Sequence, residues 1–169
     1  PQPEVRQLMG LLRQFLDERL EDLQRHGIRL NAIGQLDRLP TAVRRRLDAA
    51  LAATHTNTKG VLTLALSYGS RAEITAAART LAQDVLAGRL DIEDVAEYDL
   101  AHRLYTADLP DPDLLIRTSG ECRLSNFLLW QLSYAELYFC DCLWPDFGEA
   151  EFEAALAEFA RRQRRFGGR

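Results

Sequence analysis

Two arginines, a glycine and a serine crowd one short stretch of the chain: Arg117, Gly120, Arg123 and Ser125, with Glu121 and Asn126 among them. A guanidinium is a planar fork that matches phosphate oxygens two at a time, and two forks separated by a glycine turn would converge on one polyanion. Ser125 and the backbone N–H groups beside it would add donors if a helix opened there, because the first N–H groups of a helix have no partner within it. The set reads as a phosphate cradle of about diphosphate size. The competing reading is a pair of surface arginines neutralised by Glu121 and Asp113, with Ser125 an ordinary helix cap. Glu136 lies in the apolar run Tyr134-Ala135-Glu136-Leu137-Tyr138-Phe139. A carboxylate so flanked needs an arginine, another cation or a metal beside it. Arg71 either holds an anion at the start of its helix or pairs with Glu73. His26, His55 and His102 share no metal-ligand spacing.

The elements that must position these groups follow from periodicity and stop signals. Apolar residues from Val5 to Leu23 recur at helical spacing, which predicts one long amphipathic helix over Glu4 to His26, ended by Gly27. A strand over Ile28 to Ile33, a helix over Pro40 to Thr54 and a buried strand over Val61 to Tyr68 come next. Ser70 caps a helix that runs to about Ala87, and Asp91 caps a short helix containing Val95 and Leu100. Leu114 to Thr118 is a third strand. Asn126 to Tyr134 reads as helix, Leu137 to Cys140 as extended chain, and Glu149 to Phe166 as a last amphipathic helix. Alternating strands and helices of these lengths predict an α/β fold: a largely parallel sheet flanked by helices on both faces, with ligands at the carboxyl ends of the strands. Ser67 to Arg71 and Arg117 to Ser125 fall at such ends.

Bulk properties narrow the function classes. A length of 169 residues suits one domain with a real core, and a formal net charge of −4 argues against a general nucleic-acid binder. No apolar run approaches the roughly 20 residues of a membrane span and no secretory signal opens the chain, so a soluble, cytoplasmic protein is expected. Cys122, Cys140 and Cys142 lack the CxxC spacing of a zinc site and are odd in number, which favours bystander thiols. The absence of a GxGxxG or GxxxxGK[ST] loop weakens a nucleotide-binding reading.

The ordered blocks Asp113-Leu114-Leu115-Ile116-Arg117-Thr118-Ser119-Gly120-Glu121, Arg123-Leu124-Ser125-Asn126-Phe127-Leu128-Leu129-Trp130-Gln131, Tyr134 to Phe139 and Trp144-Pro145-Asp146-Phe147 resemble the C-terminal signature of the cis-prenyltransferases. Tyr68-Gly69-Ser70-Arg71 is similar to that family's Tyr-Gly-Gly-Arg turn, and Arg165-Phe166-Gly167 to its Arg-x-Gly tail. The resemblance implies condensation of isopentenyl diphosphate onto an allylic diphosphate such as farnesyl diphosphate, each addition leaving a cis double bond in a polyprenyl diphosphate lipid carrier. It implies substrate binding by Arg117, Arg123 and Ser125, accessory roles for Arg71, Glu121, Asn126, Arg165 and Gly167, and a Mg²⁺ ligand in Glu136. A homodimer is implied, as is peripheral contact with a membrane for product release. The wall of a hydrophobic tunnel would include Leu8, Leu12, Phe15, Leu16, Leu62 and Leu64, although each reads equally as plain core.

The family's Asp-Gly-Asn-Gly-Arg-Trp loop, which supplies its principal Mg²⁺-binding aspartate, has no counterpart in this sequence, nor have its first strands. The expectation is therefore one N-terminally incomplete domain over residues 1–169, inactive and poorly folded alone. The alternative is a non-catalytic partner subunit that donates its Arg-x-Gly tail.

Overall fold

Leu12, Phe15, Leu16, Leu20 and Leu23 do recur on one helical face, but they wind into two helices, α1 (Gln2–Glu18) and α2 (Leu20–His26). The computed structural model describes residues 2–162. At Arg19 the backbone departs to φ −101°, ψ −4°, while the Arg19 N–H still reaches the Phe15 carbonyl and the Leu23 N–H the Arg19 carbonyl. The interruption is thus a kink that the hydrogen-bond ladder survives. Gly27, in the left-handed region, ends α2 as expected.

The chain divides into two units, Pro1–Tyr68 and Gly69–Arg169. In the first, β1 (Ile28–Ile33) and β2 (Gly60–Ala65) pair in parallel, Ile28 opposite Gly60, and α3 (Thr41–Thr54) makes the crossover. Leu16, Leu30, Leu39, Leu47 and Ala50 form the buried cluster, with Leu12, Phe15 and Leu64 packed around it. Thr54 ties helix to strand: its buried hydroxyl donates to the Ala50 carbonyl and accepts from the Leu30 N–H at 3.0 Å. Of the tunnel candidates, Leu16 is core and Leu12, Phe15 and Leu64 line its margin, whereas Leu8 is 59 % exposed and Leu62 36 %. β2 is therefore not the buried strand its apolar run suggested. Among the described residues its ladder partner is β1 alone, and Val61 and Leu62 remain exposed.

In the second unit α4 (Ser70–Leu86) and α5 (Glu97–Ala101) precede β3 (Leu114–Arg117), which pairs in parallel with β4 (Glu136–Phe139); α6 (Glu149–Arg161) follows. Two parallel strand pairs, the first crossed over by α3 and the second joined by the non-helical segment 118–135, make this, with the flanking helices, an α/β fold of the expected class. Three local expectations change. Ser70 is the first residue of α4, with Gly69 at the cap position. Asp91 caps only a single 3₁₀ turn, Ile92–Asp94, and α5 starts separately, where the Ala96 N–H donates to Asp99 Oδ2. The segment from Asn126 to Tyr134 is a succession of turns, because Ser125, Asn126 and Leu128 all adopt positive φ (48°, 64° and 44°).

Asp84 joins α4 to the region after α5 by accepting from Arg103 at 2.5 Å and from Arg89 at 2.6 Å. Hydrogen bonds from Arg103, then Arg89, hold its carboxyl below the usual carboxylate range. A lowered folded-state pKa stabilises the fold above about pH 4, the ordinary value, and this contribution fades as pH falls through the lowered one. In acid-unfolding curves, the stability difference between the native chain and Asp84→Asn should be constant above about pH 5 and shrink below about pH 4.

Candidate diphosphate cradle

β3 carries Arg117 to the end of the strand pair, opposite Phe139. There the chain reverses over a turn fixed by three hydrogen bonds: Cys140 N–H to the Arg117 carbonyl (2.9 Å), Ser119 N–H to the Cys142 carbonyl (2.8 Å) and Gly120 N–H to the Cys140 carbonyl (3.0 Å). Ser119 and Gly120 are both left-handed, φ 68° and 64°. Gly120 takes that conformation without steric cost, while Ser119 costs roughly 1–2 kcal/mol.

The turn brings Arg117 and Arg123 onto one cavity of about 220 Å³, completed by Leu115, Ile116, Leu124 and Phe127. Pockets for whole drug-sized ligands measure about 300–1,000 Å³, so this smaller space suits a headgroup. The Nε of Arg117 is buried and has no hydrogen-bond acceptor among the described residues. Such an orphaned donor costs about 1–3 kcal/mol, and it belongs to a side chain that lines the cavity. Arg123, more exposed, forms an ion pair with Glu121. Half of the competing surface-pair reading is therefore present, and Glu121 must release Arg123 to an entering phosphate. Ser125 is exposed in the left-handed region and starts no helix, so the helix-end donors expected beside it are absent; what it offers is a hydroxyl on a tight loop.

Positive φ at Ser119, Ser125, Asn126 and Leu128 concentrates strain of about 1–3 kcal/mol per residue in this one segment. A clamp to α4 holds it. The Asn126 carbonyl accepts from Ser70 N–H and its Oδ1 from Arg71 N–H, both at 2.8 Å, and Ser70 Oγ accepts from Leu129 N–H at 2.9 Å. Asn126 thus satisfies the open N–H groups of α4 from a loop more than fifty residues away. The approach requires glycine at 69, where a Cβ would stand 2.8 Å from Asn126 Nδ2. Arg71 is exposed at this helix start, and Glu73, its alternative partner, is fully buried and engaged elsewhere.

Glu136 stands apart. It opens β4 opposite Leu114, three residues or about 10 Å along the strand from the level of Arg117. Because side chains alternate faces, it also points to the opposite side of the pair. Its Oε2 accepts from Arg162 at 2.9 Å, and Arg162 also donates to the Leu137 carbonyl. The hydrogen bond that Arg162 donates to Glu136, ahead of the one it donates to Glu158, pushes its pKa further up. The arginine partner foreseen for this carboxylate is therefore observed. Arg165 and Gly167 lie outside the described residues.

Comparison with known proteins bears directly on this arrangement. A prenyltransferase family model, described as undecaprenyl diphosphate synthase, matches residues 1–167. The chain belongs to the undecaprenyl diphosphate synthase family. An isoprenyl transferase of Geobacillus kaustophilus is 51 % identical over 168 residues, covering 99 % of this chain and 65 % of that protein. The ditrans,polycis-undecaprenyl-diphosphate synthase of Xanthomonas axonopodis pv. citri, named as (2E,6E)-farnesyl-diphosphate specific, is 48 % identical, again over 99 % of this chain and 65 % of its own length. Among solved structures, lavandulyl diphosphate synthase from Lavandula x intermedia, in complex with dimethylallyl diphosphate, superposes with a TM-score of 0.96 at 40 % identity, covering 99 % of this chain and 72 % of that one. The chain spans about two thirds of the length of these curated relatives. They are named as transferases and synthases, and none of these names supports a non-catalytic partner subunit.

In this family member, sequence reasoning missed a buried network that ties α4 to the segments holding Tyr105 and Gln131. Glu73 Oε1 accepts from Tyr105 N–H at 2.8 Å and from Gln131 Nε2 at 3.3 Å, and Gln131 also donates to Thr106 Oγ1 at 2.9 Å. Ser70, Glu73 and Gln131 are each at most 2 % exposed. Only one sequence signal was available: a polar residue, Gln131, interrupting the apolar run from Phe127 to Leu132.

Proposed function

We propose that this chain carries the isopentenyl diphosphate half-site of a cis-prenyltransferase, which condenses isopentenyl diphosphate onto an allylic diphosphate to build a cis-polyprenyl diphosphate lipid carrier. The observation that carries this reading is that Arg117 and Arg123 line one cavity of headgroup size, the Arg117 Nε being buried without an acceptor among the described residues. Family membership supplies the substrate class. The name of the Xanthomonas relative supports farnesyl diphosphate as primer, and the lavender structure supports an allylic diphosphate on this fold.

In this mechanism Arg117 and Arg123 neutralise the diphosphate bidentately while the Ser125 hydroxyl donates to a third oxygen. The apolar wall formed by Leu115, Ile116 and Phe127 lets the isopentenyl carbons extend from a fixed headgroup toward the allylic carbon. The chain's contribution is alignment and charge neutralisation, the two effects that dominate such transfers.

Mg²⁺ fits less well. The ion needs about six oxygens in octahedral array, and among the described residues no cluster of three His, Cys, Asp or Glu side chains could hold a metal. Glu136 offers one carboxylate, already paired with Arg162, on the face away from Arg117. These residues do not build a Mg²⁺ site by themselves, and no step above passes through the ion. Within the proposal Glu136 gives one oxygen to a site completed by other groups.

A homodimer, a cytoplasmic location and peripheral membrane contact complete the proposal on the strength of the family resemblance; no helix among the described residues is long and apolar enough to cross a membrane. The protein expressed from its complete reading frame should convert radiolabelled isopentenyl diphosphate and farnesyl diphosphate into solvent-extractable polyprenyl diphosphates with cis double bonds. Absence of extractable label under conditions that support a known family enzyme would refute the assignment.

A further inference from the structure

Cys140 and Cys142 flank Asp141 where β4 ends, and their sulfurs lie 3.1 Å apart. Both are free and partly buried, whereas Cys122 is exposed. Their carbonyls are the two acceptors that fix the cradle turn, Cys140 taking the Gly120 N–H and Cys142 the Ser119 N–H, and the Cys140 N–H binds the Arg117 carbonyl. Any change in the spacing of these two residues is therefore passed through three hydrogen bonds to the backbone that aims Arg117 and Arg123.

We propose that Cys140 and Cys142 are a dithiol modification site, oxidised reversibly by peroxides to an intramolecular disulfide that distorts the diphosphate cradle. A disulfide is about 2.05 Å long, so the sulfurs need approach by only about 1 Å. Bridging cysteines separated by one residue closes a small ring, and strained disulfides have higher reduction potentials and reopen readily with thiols. That suits a switch better than a structural staple.

The Cys142 thiol is pushed up to about 11, chiefly by its hydrogen bond with Cys140 and then by burial. It remains a thiol at neutral pH, and in the proposed sequence it resolves the product of attack by Cys140. The Cys140 thiolate attacks one oxygen of hydrogen peroxide, breaking the O–O bond to give a sulfenic acid and, with the thiol proton, water. The Cys142 sulfur then attacks the Cys140 sulfur; the S–O bond breaks, and hydroxide leaves with the Cys142 proton as a second water. Two thiols lose two electrons and two protons in all, and one peroxide becomes two waters.

The effect on the cradle rests on the proposed half-site, but the chemistry does not. The reduced protein, expressed from its complete reading frame, is treated with hydrogen peroxide, digested and mapped by mass spectrometry. The peptide holding both cysteines should lose two hydrogen masses, resist thiol alkylation and recover on adding dithiothreitol. In parallel the KM for isopentenyl diphosphate should rise at least five-fold on oxidation and return on reduction, with Cys142→Ser showing neither the mass loss nor the KM shift. Two alkylatable thiols after peroxide treatment, or a disulfide that leaves KM unchanged, would overturn the proposal. If the reduced protein transfers no prenyl group, the half-site reading fails separately and the peptide mass alone decides the dithiol site.

Discussion

Arg117→Ala is expected to lower kcat/KM for isopentenyl diphosphate by about 100- to 1,000-fold, equivalent to about 3–4 kcal/mol. The size of the loss follows from geometry. Of the two arginines, Arg117 is the one with a buried guanidinium nitrogen lacking an acceptor among the described residues, so in the proposed half-site its bond to phosphate would form in a partly dry setting where charge-assisted bonds are strongest. Arg123 is more exposed and shares its charge with Glu121, and its replacement should cost less, about ten-fold. Arg117→Lys should restore only part of the loss, because an ammonium keeps the charge but not the fork. Steady-state kinetics with both substrates varied gives the comparison.

The second large effect concerns stability. Glu73 is fully buried, and its carboxylate accepts from the Tyr105 N–H and the Gln131 amide. Glu73→Ala leaves both donors without that acceptor and opens a void between α4 and the segments that hold Tyr105 and Gln131. At about 1–3 kcal/mol for each unsatisfied buried group, the loss should be about 3–5 kcal/mol. A chain of this size would then melt roughly 10 °C lower. A thermal melt of Glu73→Ala within about two degrees of the parent would remove the network from the account. Glu73→Gln keeps shape and one acceptor and should fall in between.

What was legible in the sequence had local causes. The bounds of β1 and α3 follow from apolar periodicity, Pro40 and Gly27, and the end of α4 from Gly88; these elements form where the residues said they would. Arg117 and Arg123 were legible as a pair because the strand and the glycine turn between them are themselves local signals. The turns from Asn126 to Tyr134 were not. Phe127, Leu128 and Trp130 mimic a helical face, but Asn126 accepts from the Ser70 and Arg71 N–H groups and the Leu129 N–H donates to Ser70 Oγ, and those distant partners override local propensity. The same long-range clamp explains why Ser70, read as a cap, accepts from Leu129 instead. Glu136 and Arg162 were half legible: an apolar setting announced that the carboxylate needed a cation, and only the fold could choose among an arginine, another cation and a metal.

The isopentenyl half-site is tested most directly by the ratio of two Michaelis constants in Arg123→Ala, assayed from the complete reading frame. If Arg117, Arg123 and Ser125 hold the diphosphate of isopentenyl diphosphate, KM for that substrate rises about ten-fold while KM for farnesyl diphosphate stays within about two-fold. Equal increases for the two substrates, or a larger one for farnesyl diphosphate, would contradict the assignment.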